Sequence, residues 1–295
     1  MIKVGIIGTE SSHALAFVKY FNCPDLKTGK YRYPSIRVTA VVGDSDSVEE
    51  IRRCSDTVTE VSCSEELARH VDAAVITSCA GSMHLAQARP LLQARLPLFI
   101  DKPFTADPVE AEELARLIRQ SGCNVMGGSG LKYAKGVSHC RKLAMQLRSE
   151  NLLTSSALHF PTTLDSSYDG MYYYTPHLLE MAISILGTDV RKVTAIRNGK
   201  NMTALLDYEK DTAALHFTCG AIDTTCIFYT LNYLQSVEID WSDIYAELAS
   251  RFARMLLGSF KPEPIENMVL TVNLIHALEQ AVQTGQTVEL QYLQY

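Results

Sequence analysis

The sequence predicts an α/β protein, with an N-terminal doubly wound parallel sheet and a C-terminal α+β domain built on a mostly antiparallel open sheet. Continuous apolar runs alternate with helix patterns over the first part of the chain, as in parallel strands that helices cover on both faces. Strand patterns then follow one another over residues 190–240, which is typical of antiparallel sheets. A length of 295 residues suffices for two domains, which we place at 1–128 and 129–295.

Five apolar runs predict the strands of the first domain. They span residues 2–7, 36–42, 73–77, 97–100 and 124–128. The clearest helix between them has Asp107 as its N-cap, Pro108 in its first turn and Gly122 at its end. Ser62 and Glu65 form a capping-box pattern ahead of another helix. Strands and helices therefore alternate with short connections, which predicts a doubly wound parallel sheet.

A change of rhythm after about residue 130 predicts the second domain. A helix pattern over 132–150 leads to a strand at 155–160, and a tyrosine-rich helical stretch follows at 171–187. Further strands are predicted at 190–197, 202–208, 212–219, 225–231 and 235–240. Helices at about 242–257 and 266–284 complete the pattern, and no internal repeat is present.

Composition excludes several classes of function. The net charge is −6, and lysines and arginines form no cluster that would bind nucleic acid. No apolar run approaches the roughly 18 residues of a membrane span, and the N-terminus enters a strand pattern directly, so we expect no signal peptide. None of the eight cysteines lies in a CxxC pair, so we expect reduced thiols, a cytoplasmic location and no metal site.

The first strand runs into a turn with part of a nucleotide-binding motif, VGIIGTESSHALAF over 4–17. A strand, a glycine turn and a helix bring free N–H groups and the positive helix end to one point, which suits a pyrophosphate. Of the three glycines of G-x-G-x-x-G, only Gly8 is present, because Glu10 and His13 occupy the other two positions. A carboxylate there repels phosphate unless it turns away. Glu10 is otherwise a helix-start acid, and His13 either covers a ribose or fills the space of the glycine.

Two further features favour a dinucleotide at this turn. Thr9, Ser11 and Ser12 supply hydroxyls that can cap the helix or bind phosphate oxygens. The second strand ends in VVGDSDS, which places Asp44 where an acid accepts hydrogen bonds from an adenosine ribose. No basic residue follows Asp44, so the sequence favours NAD over NADP.

Four segments resemble the Gfo/Idh/MocA oxidoreductases in the same order and at similar spacing. They are VGIIGTESSHA, DAAVITSCAGSMHLAQARPLLQARLPLFIDKPF, MYYYTPHLLEMAISILG and a tail of the form E-x-x-x-x-x-V-x-x-I-x-A followed by TG-x-x-V-x-L. The resemblance spans nearly the whole chain, and D-K-P, in place of the family's E-K-P, is its most specific element. It implies an N-terminal Rossmann domain, NAD(P)-dependent hydride transfer on a polyol, sugar or related hydroxy or keto compound, and a homo-oligomer formed through the C-terminal sheet.

The resemblance also implies residue roles. Lys102 corresponds to the lysine beside the nicotinamide and the reacting oxygen, and His177 to the catalytic histidine of the second domain. The cofactor contacts that it implies are Ser78, Cys79, His84, Asp101 and Lys102. Tyr173 departs from the family, because it stands where an aspartate commonly relays a proton, and so does Leu178 directly after the histidine.

The residues themselves permit this chemistry. Hydride transfer to or from a carbinol carbon needs a group that moves the hydroxyl proton and a partner for the developing alkoxide. Lys102 follows a strand at the edge where open α/β sheets bind ligands, although it could instead be a surface lysine. If Thr175 is the N-cap and Pro176 the first helical residue, His177 lies in the first turn of a helix. The positive end of the helix there disfavours the imidazolium.

The tyrosines next to this histidine have two interpretations. A phenol donates hydrogen bonds but carries no charge near neutral pH, so we expect Tyr173 and Tyr174 to shape a substrate pocket together with His177. The alternative is an aromatic cluster in the core that contains the histidine.

Three functions remain open from the sequence. The first is an NAD-dependent oxidoreductase that uses Lys102 and His177. The second is a non-catalytic sugar- or dinucleotide-binding protein on the same fold, which Glu10 and Tyr173 favour. The third keeps the cofactor but changes the net reaction, for example elimination through transient oxidation, or imine reduction. The retained D-K-P and His177 lead us to prefer the first.

Overall fold

The computed structural model describes residues 1–220 and 223–290. Contacts divide the chain into two compact units. The first contains Met1–Gly128 and Asp243–Val269, and the second contains Ser129–Ser242 and the described residues that follow Val269. The segment Asp243–Val269, which the sequence assigned to the second domain, thus clusters with the first.

The first unit is built on a six-stranded sheet. Its strands are β1 (Ile2–Ile7), β2 (Ile36–Val42), β3 (Thr59–Glu60), β4 (Ala73–Ile76), β5 (Leu98–Ile100) and β6 (Val125–Gly127). Their order is β3-β2-β1-β4-β5-β6, and every pair is parallel. The predicted doubly wound parallel sheet is confirmed. Only β3 was not predicted, because two exposed residues carry no apolar pattern.

Five helices accompany this sheet: α1 (Ser12–Asn22), α2 (Ser45–Cys54), α3 (Ser64–Leu67), α4 (His84–Gln93) and α5 (Pro108–Ser121). The predicted ends of α5 are confirmed, because Asp107 accepts two N–H groups of the first turn and Gly122 is left-handed with φ +68°. The predicted capping box was wrong in register. Ser62 bonds Glu66 instead of Glu65, and α3 is a single turn whose N-cap residue makes no side-chain bond.

The parallel register brings the carboxyl ends of the central strands to one edge. Ile7 of β1 pairs with Val42 of β2 and with Ile76 of β4. The N–H of Gly8 donates to the Val42 carbonyl at 3.0 Å, and the N–H of Asp101 donates to the Ile76 carbonyl at 2.9 Å. The turn after β1, the loop after β4 and the D-K-P segment after β5 are therefore neighbours, although more than sixty residues separate the first from the second in sequence.

The second unit is built on a seven-stranded mixed sheet. Its strands are β7 (Leu153–Pro161), β8 (Lys192–Asn198), β9 (Asn201–Asp207), β10 (Thr212–Thr218), β11 (Thr225–Thr230), β12 (Leu234–Glu238) and β13 (Val288–Glu289). Their order is β12-β11-β7-β10-β9-β8-β13, and β7 with β10 is the parallel pair. The predicted, mostly antiparallel sheet is confirmed.

The remaining α-helices are α6 (Lys135–Ser149), α7 (Thr175–Leu186), α8 (Ile244–Leu256) and α9 (Glu266–Thr284). In α7, all residues but one are buried, as expected of a helix that is apolar all round. Thr175 was predicted as its N-cap, but it is the first helical residue, because its hydroxyl donates back to the Met171 carbonyl at 2.6 Å.

One face of the second sheet is buried and the other is open. Burial alternates along β8, β9 and β10, so every second side chain lies on the open face. Ile196, Leu205 and Tyr229 are exposed on that face. Within the described residues, no helix has the length and apolar character to cross a membrane, no cluster of metal-binding side chains occurs, and the eight cysteines are free thiols.

Candidate active site

The turn after β1 keeps the backbone form of an anion-binding site. Gly8 has φ +87°, and a Cβ at this position would lie 2.1 Å from the backbone nitrogen of Ser78, so only glycine fits. Ser11 is the N-cap of α1, and its hydroxyl accepts the N–H of His13 at 3.2 Å. Ser12 begins the helix and is exposed. The positive end of α1 therefore starts at this turn, as predicted.

Glu10, the carboxylate at the second glycine position, turns toward the loop after β4. Its Oε1 accepts the backbone N–H of Cys79 at 2.9 Å, while the residue itself is exposed. A charge-assisted bond to a backbone donor fixes the carboxylate in one place. The repulsion expected between this acid and a pyrophosphate is reduced, because the carboxylate has its own donor on the neighbouring loop.

The end of β2 lies against the same turn. Thr9 is buried, and its Oγ1 lies 2.6 Å from Oγ of Ser47, so this hydroxyl is held by α2. A Cβ on Gly43 would fall 1.6 Å from Oγ1 of Thr9, which leaves glycine as the residue that fits. Asp44 is the N-cap of α2 and accepts the Ser47 N–H at 3.0 Å. The Ser47 hydroxyl, which also donates to the Asp44 carboxylate, and the Ser47 N–H together lower the pKa of this carboxyl, which stays exposed and ionised.

The D-K-P segment after β5 is buried. Asp101 and Lys102 are 2% and 6% exposed. Burial alone would raise the pKa of Asp101, but the charges of His13 and Lys102 lower it overall. Burial lowers the pKa of Lys102, although the neighbouring Asp101 and Cys79 oppose this effect. A lysine with a depressed pKa can exchange a proton closer to neutral pH than a surface lysine can.

His13, at the third glycine position, points into the protein. It is buried, and its Nδ1 lies 2.5 Å from Oδ2 of Asp101. The other oxygen of Asp101 accepts the backbone N–H of Lys102 at 2.8 Å. The turn after β1 and the D-K-P segment are thereby joined by side chains, an arrangement that the sequence did not predict.

The loop after β4 is held from two sides. Ser78 is buried, and its hydroxyl accepts a bond from Gln87 of α4 at 2.8 Å. His84 is fully buried, and its Nε2 donates to the Ser78 carbonyl at 2.9 Å. Burial lowers the pKa of His84, so the imidazole is neutral and holds the loop in place. A Cβ on Gly81 would meet Pro103 at 2.3 Å, so this loop packs tightly on the D-K-P segment, whose Lys102–Pro103 bond is cis.

His177 of the second unit lies in the first turn of α7 and is 8% exposed. Its Nδ1 lies 2.7 Å from Oγ of Ser129, which orients the ring. The ring centroid lies 5.0 Å from that of Phe160 and 6.1 Å from that of Tyr174. The predicted histidine is thus held by its polar contact with Ser129 and by aromatic neighbours.

A buried network of charged side chains contacts Ser129, the partner of this histidine. The sequence patterns did not predict it. Glu180 lies one turn after His177 on α7, and its Oε1 accepts the backbone N–H of Ser129 at 3.0 Å. Its Oε2 lies 2.8 Å from Nζ of Lys132. A single carboxylate inside the apolar run LLEMAISIL was the available signal, because a charge on a helix of this kind requires a buried partner.

The predicted tyrosines form a cluster near this helix. Tyr173 and Tyr174 are half-buried, and their ring centroids lie 4.7 Å apart in an edge-to-face arrangement. Tyr168 lies 5.3 Å from Tyr173 on the other side. Leu178, where the family often has an aspartate, is fully buried in the core.

Comparison with known proteins identifies the first unit. Residues 2–129 match the Gfo/Idh/MocA family model, described as an oxidoreductase family with an NAD-binding Rossmann fold. A search of curated protein sequences finds no match.

Similar solved structures cover nearly the whole chain. Scyllo-inositol dehydrogenase from Lactobacillus casei, with NAD(H) and scyllo-inositol bound, has a TM-score of 0.82 at 15% identity over 98% of this chain and 99% of that one. Myo-inositol 2-dehydrogenase from Lactobacillus plantarum has a TM-score of 0.80 at 12% identity over the same shares. An oxidoreductase from Agrobacterium radiobacter, in complex with NAD+, L-tartaric acid and magnesium, has 0.76 at 16% identity over 98% of each chain. These likenesses show a common fold, and residues 2–129 match the model of the Gfo/Idh/MocA oxidoreductase family, which describes an NAD-binding Rossmann fold.

Proposed function

We propose that this protein transfers a hydride between NAD and a secondary alcohol or ketone of a polyol, sugar or related small compound, with Lys102 and His177 as catalytic residues. The observation that carries the proposal is Lys102, a buried lysine with a depressed pKa two residues after β5 of an NAD-binding Rossmann sheet. The names of the similar structures, two of them inositol dehydrogenases, support a polyhydroxylated substrate.

The residues at the turn fit the cofactor. Gly8 leaves the backbone open, α1 presents its first N–H groups, and Glu10 is tied to the Cys79 backbone. Asp44 is exposed and ionised at the end of β2, where an acid can bind ribose hydroxyls and would repel a 2′-phosphate. We therefore expect NAD to bind more tightly than NADP.

NAD supplies the nicotinamide carbon that accepts or gives the hydride. In the oxidative direction, the neutral amine of Lys102 takes the hydroxyl proton, and in the reductive direction the ammonium returns it. His177, oriented by Ser129 at its Nδ1, is the second polar group for the reacting oxygen. Tyr173 and Tyr174 supply aromatic surface and hydroxyl groups for a ring-shaped polyol.

Two measurements on the wild-type protein test this proposal. NADH at a hundred times its dissociation constant should add about 2.7 kcal/mol to the free energy of unfolding, seen as a higher melting temperature, and NADPH should add less. A panel of inositols and sugar alcohols with NAD should then give NADH formation at 340 nm for at least one compound.

Variants assign the roles. Lys102→Met should abolish turnover and keep NADH binding, while Lys27→Met, at an exposed position, serves as the control. Bound NADH without turnover of any polyol or keto compound would favour the non-catalytic alternative, which Glu10 still supports. No stabilisation by either dinucleotide would exclude the proposed function.

We also propose that the open face of the second sheet joins copies of this chain into a homo-oligomer. Ile196 and Leu205 are 75% and 49% exposed, and β11 and β12 add Tyr229 and Leu234 to the same face. Exposed apolar side chains on a wide sheet face are typical of an interaction surface. Analytical ultracentrifugation should show an oligomer that Leu205→Glu dissociates, and a monomeric wild-type protein would contradict this. The cytoplasmic location stays a prediction.

A further inference from the structure

The position of His13 is the least expected feature of the first unit. A glycine at this position would have no side chain, whereas His13 carries an imidazole and is only 7% exposed. Its ring centroid lies 4.6 Å from that of Tyr245 on α8, in an edge-to-face contact. The side chain is therefore packed in the protein on one side and meets Asp101 on the other.

The contact between His13 and Asp101 requires a proton. A deprotonated nitrogen and a carboxylate oxygen repel each other, so a separation of 2.5 Å indicates a proton on the nitrogen, in a close contact whose N–H is not aligned as a straight hydrogen bond. The Nδ1 atom is therefore the protonated one, and Oδ2 is its acceptor. Since Oδ1 accepts the N–H of Lys102, both oxygens of Asp101 are occupied and the carboxylate is held in a single orientation.

We propose that His13 is a positioning residue for Lys102. It holds the Asp101 carboxylate in place and weakens the attraction between this carboxylate and the Lys102 ammonium. The inference rests on the proposed function in one respect, which is the catalytic role of Lys102. His13 and Asp101 then act together, because the imidazole contacts the carboxylate of an aspartate, whose side chain is shorter than that of a glutamate.

The sign of the electrostatic effect follows from the groups present. Desolvation favours the neutral amine of Lys102, and the negative charge of Asp101 favours its ammonium. A hydrogen bond or positive charge from His13 weakens the pull of Asp101 on Lys102. Removing the imidazole should therefore raise the pKa of Lys102. Among the described residues, the titratable groups that face these three side chains include Cys79 and His84 beside the D-K-P segment, Glu10 through its bond to Cys79, and Tyr245 against His13.

If His13 only filled space in the core, a different outcome would be expected. Loss of packing from His13→Ala would destabilise α1 and the turn, but it would not alter the proton affinity of Lys102 in a way that depends on the charge at position 101. The coupling between the two positions thus separates the two roles, as in a double-mutant cycle.

The experiment measures the pKa of Lys102 in the apo protein by 15N NMR of the lysine side chains, with Lys102→Met to assign the signal. His13→Ala should raise this pKa by about one unit, within the range for a charge at close distance. In an Asp101→Asn background the same substitution should leave it unchanged. An unshifted pKa after His13→Ala, or an equal shift in both backgrounds, would overturn the proposal.

A second variant guards against loss of folding. The side-chain amide of His13→Asn places a neutral N–H near the position of Nδ1, so it should hold the carboxylate and retain kcat within about threefold, while His13→Ala loses about tenfold. Equal loss in both variants would also contradict a positioning role. The NMR titration needs neither cofactor nor turnover, so it remains readable even if the proposed dehydrogenase activity fails its own test.

Discussion

The Lys132–Glu180 pair permits a quantitative test of the network behind His177. The side chains are 5% and 6% exposed, with Nζ and Oε2 2.8 Å apart. Lys132→Met keeps most of the aliphatic stem but leaves Glu180 as a buried carboxylate without its cation. Removing one partner of a buried pair costs about 3–5 kcal/mol, because the remaining charge stays desolvated.

An exposed pair of the same residue types provides a matched control. On the second sheet, Nζ of Lys192 lies 3.0 Å from Oε1 of Glu289, but the two side chains are 46% and 73% exposed. Lys192→Met should cost no more than about 0.5 kcal/mol, since water solvates the charge that remains. The difference between the two variants isolates the effect of burial from that of removing a lysine.

Intrinsic fluorescence is a suitable assay for this unit. Trp241 is the single tryptophan of the chain, and its ring packs 6.1 Å from that of Phe160, which itself contacts His177. Urea denaturation followed at this residue should show a loss of about 3–5 kcal/mol for Lys132→Met, or roughly 10 °C in the melting temperature. Equal stabilities of Lys132→Met and Lys192→Met would refute the argument that this pair is buried and charged.

Three further predictions concern residues of the first unit and of the second unit. Glu10→Gln keeps a side-chain acceptor for the Cys79 N–H and removes the charge, so the NADH dissociation constant from calorimetry should fall about two- to fivefold; an unchanged constant would mean that the carboxylate is already fully screened. Ser129→Ala removes the contact to Nδ1 of His177, so kcat should fall about tenfold with NADH affinity unchanged, and an unaltered kcat would contradict the orienting role. Burial depresses the pKa of Lys102, so the oxidative rate should rise with pH through an apparent pKa below the usual range of a lysine, and a limb within that range would count against Lys102 as the base.

The fold was largely predictable because its strands are encoded locally. Apolar runs without alternation predicted the parallel sheet, and Asp107 with Gly122 predicted both ends of α5. The errors arose where a distant or competing partner decides the local structure. Ser62 could bond either Glu65 or Glu66, and the hydroxyl of Thr175 found a carbonyl before the helix instead of capping it.

Candidate residues could be selected from the sequence, but their contacts could not. Sequence patterns indicated Lys102 and His177, and they marked Glu10 and His13 as intrusions into the glycine motif. They predicted no partner for Glu10 or His13. Their partners, Cys79 and Asp101, lie more than sixty positions away in sequence and come close to the turn only through the register of β1, β4 and β5. The support of His177 by Ser129 is likewise a contact across 48 positions.

The fit of Gly43 against Thr9 has a consequence for how this turn can evolve. A methyl group at position 43 would overlap the threonine hydroxyl, so the tolerance of one site depends on the occupant of the other. Substitutions there should show epistasis: alanine at position 43 is admissible only after position 9 has first been reduced in size. Lineages in which position 43 gains a side chain must therefore first have changed position 9.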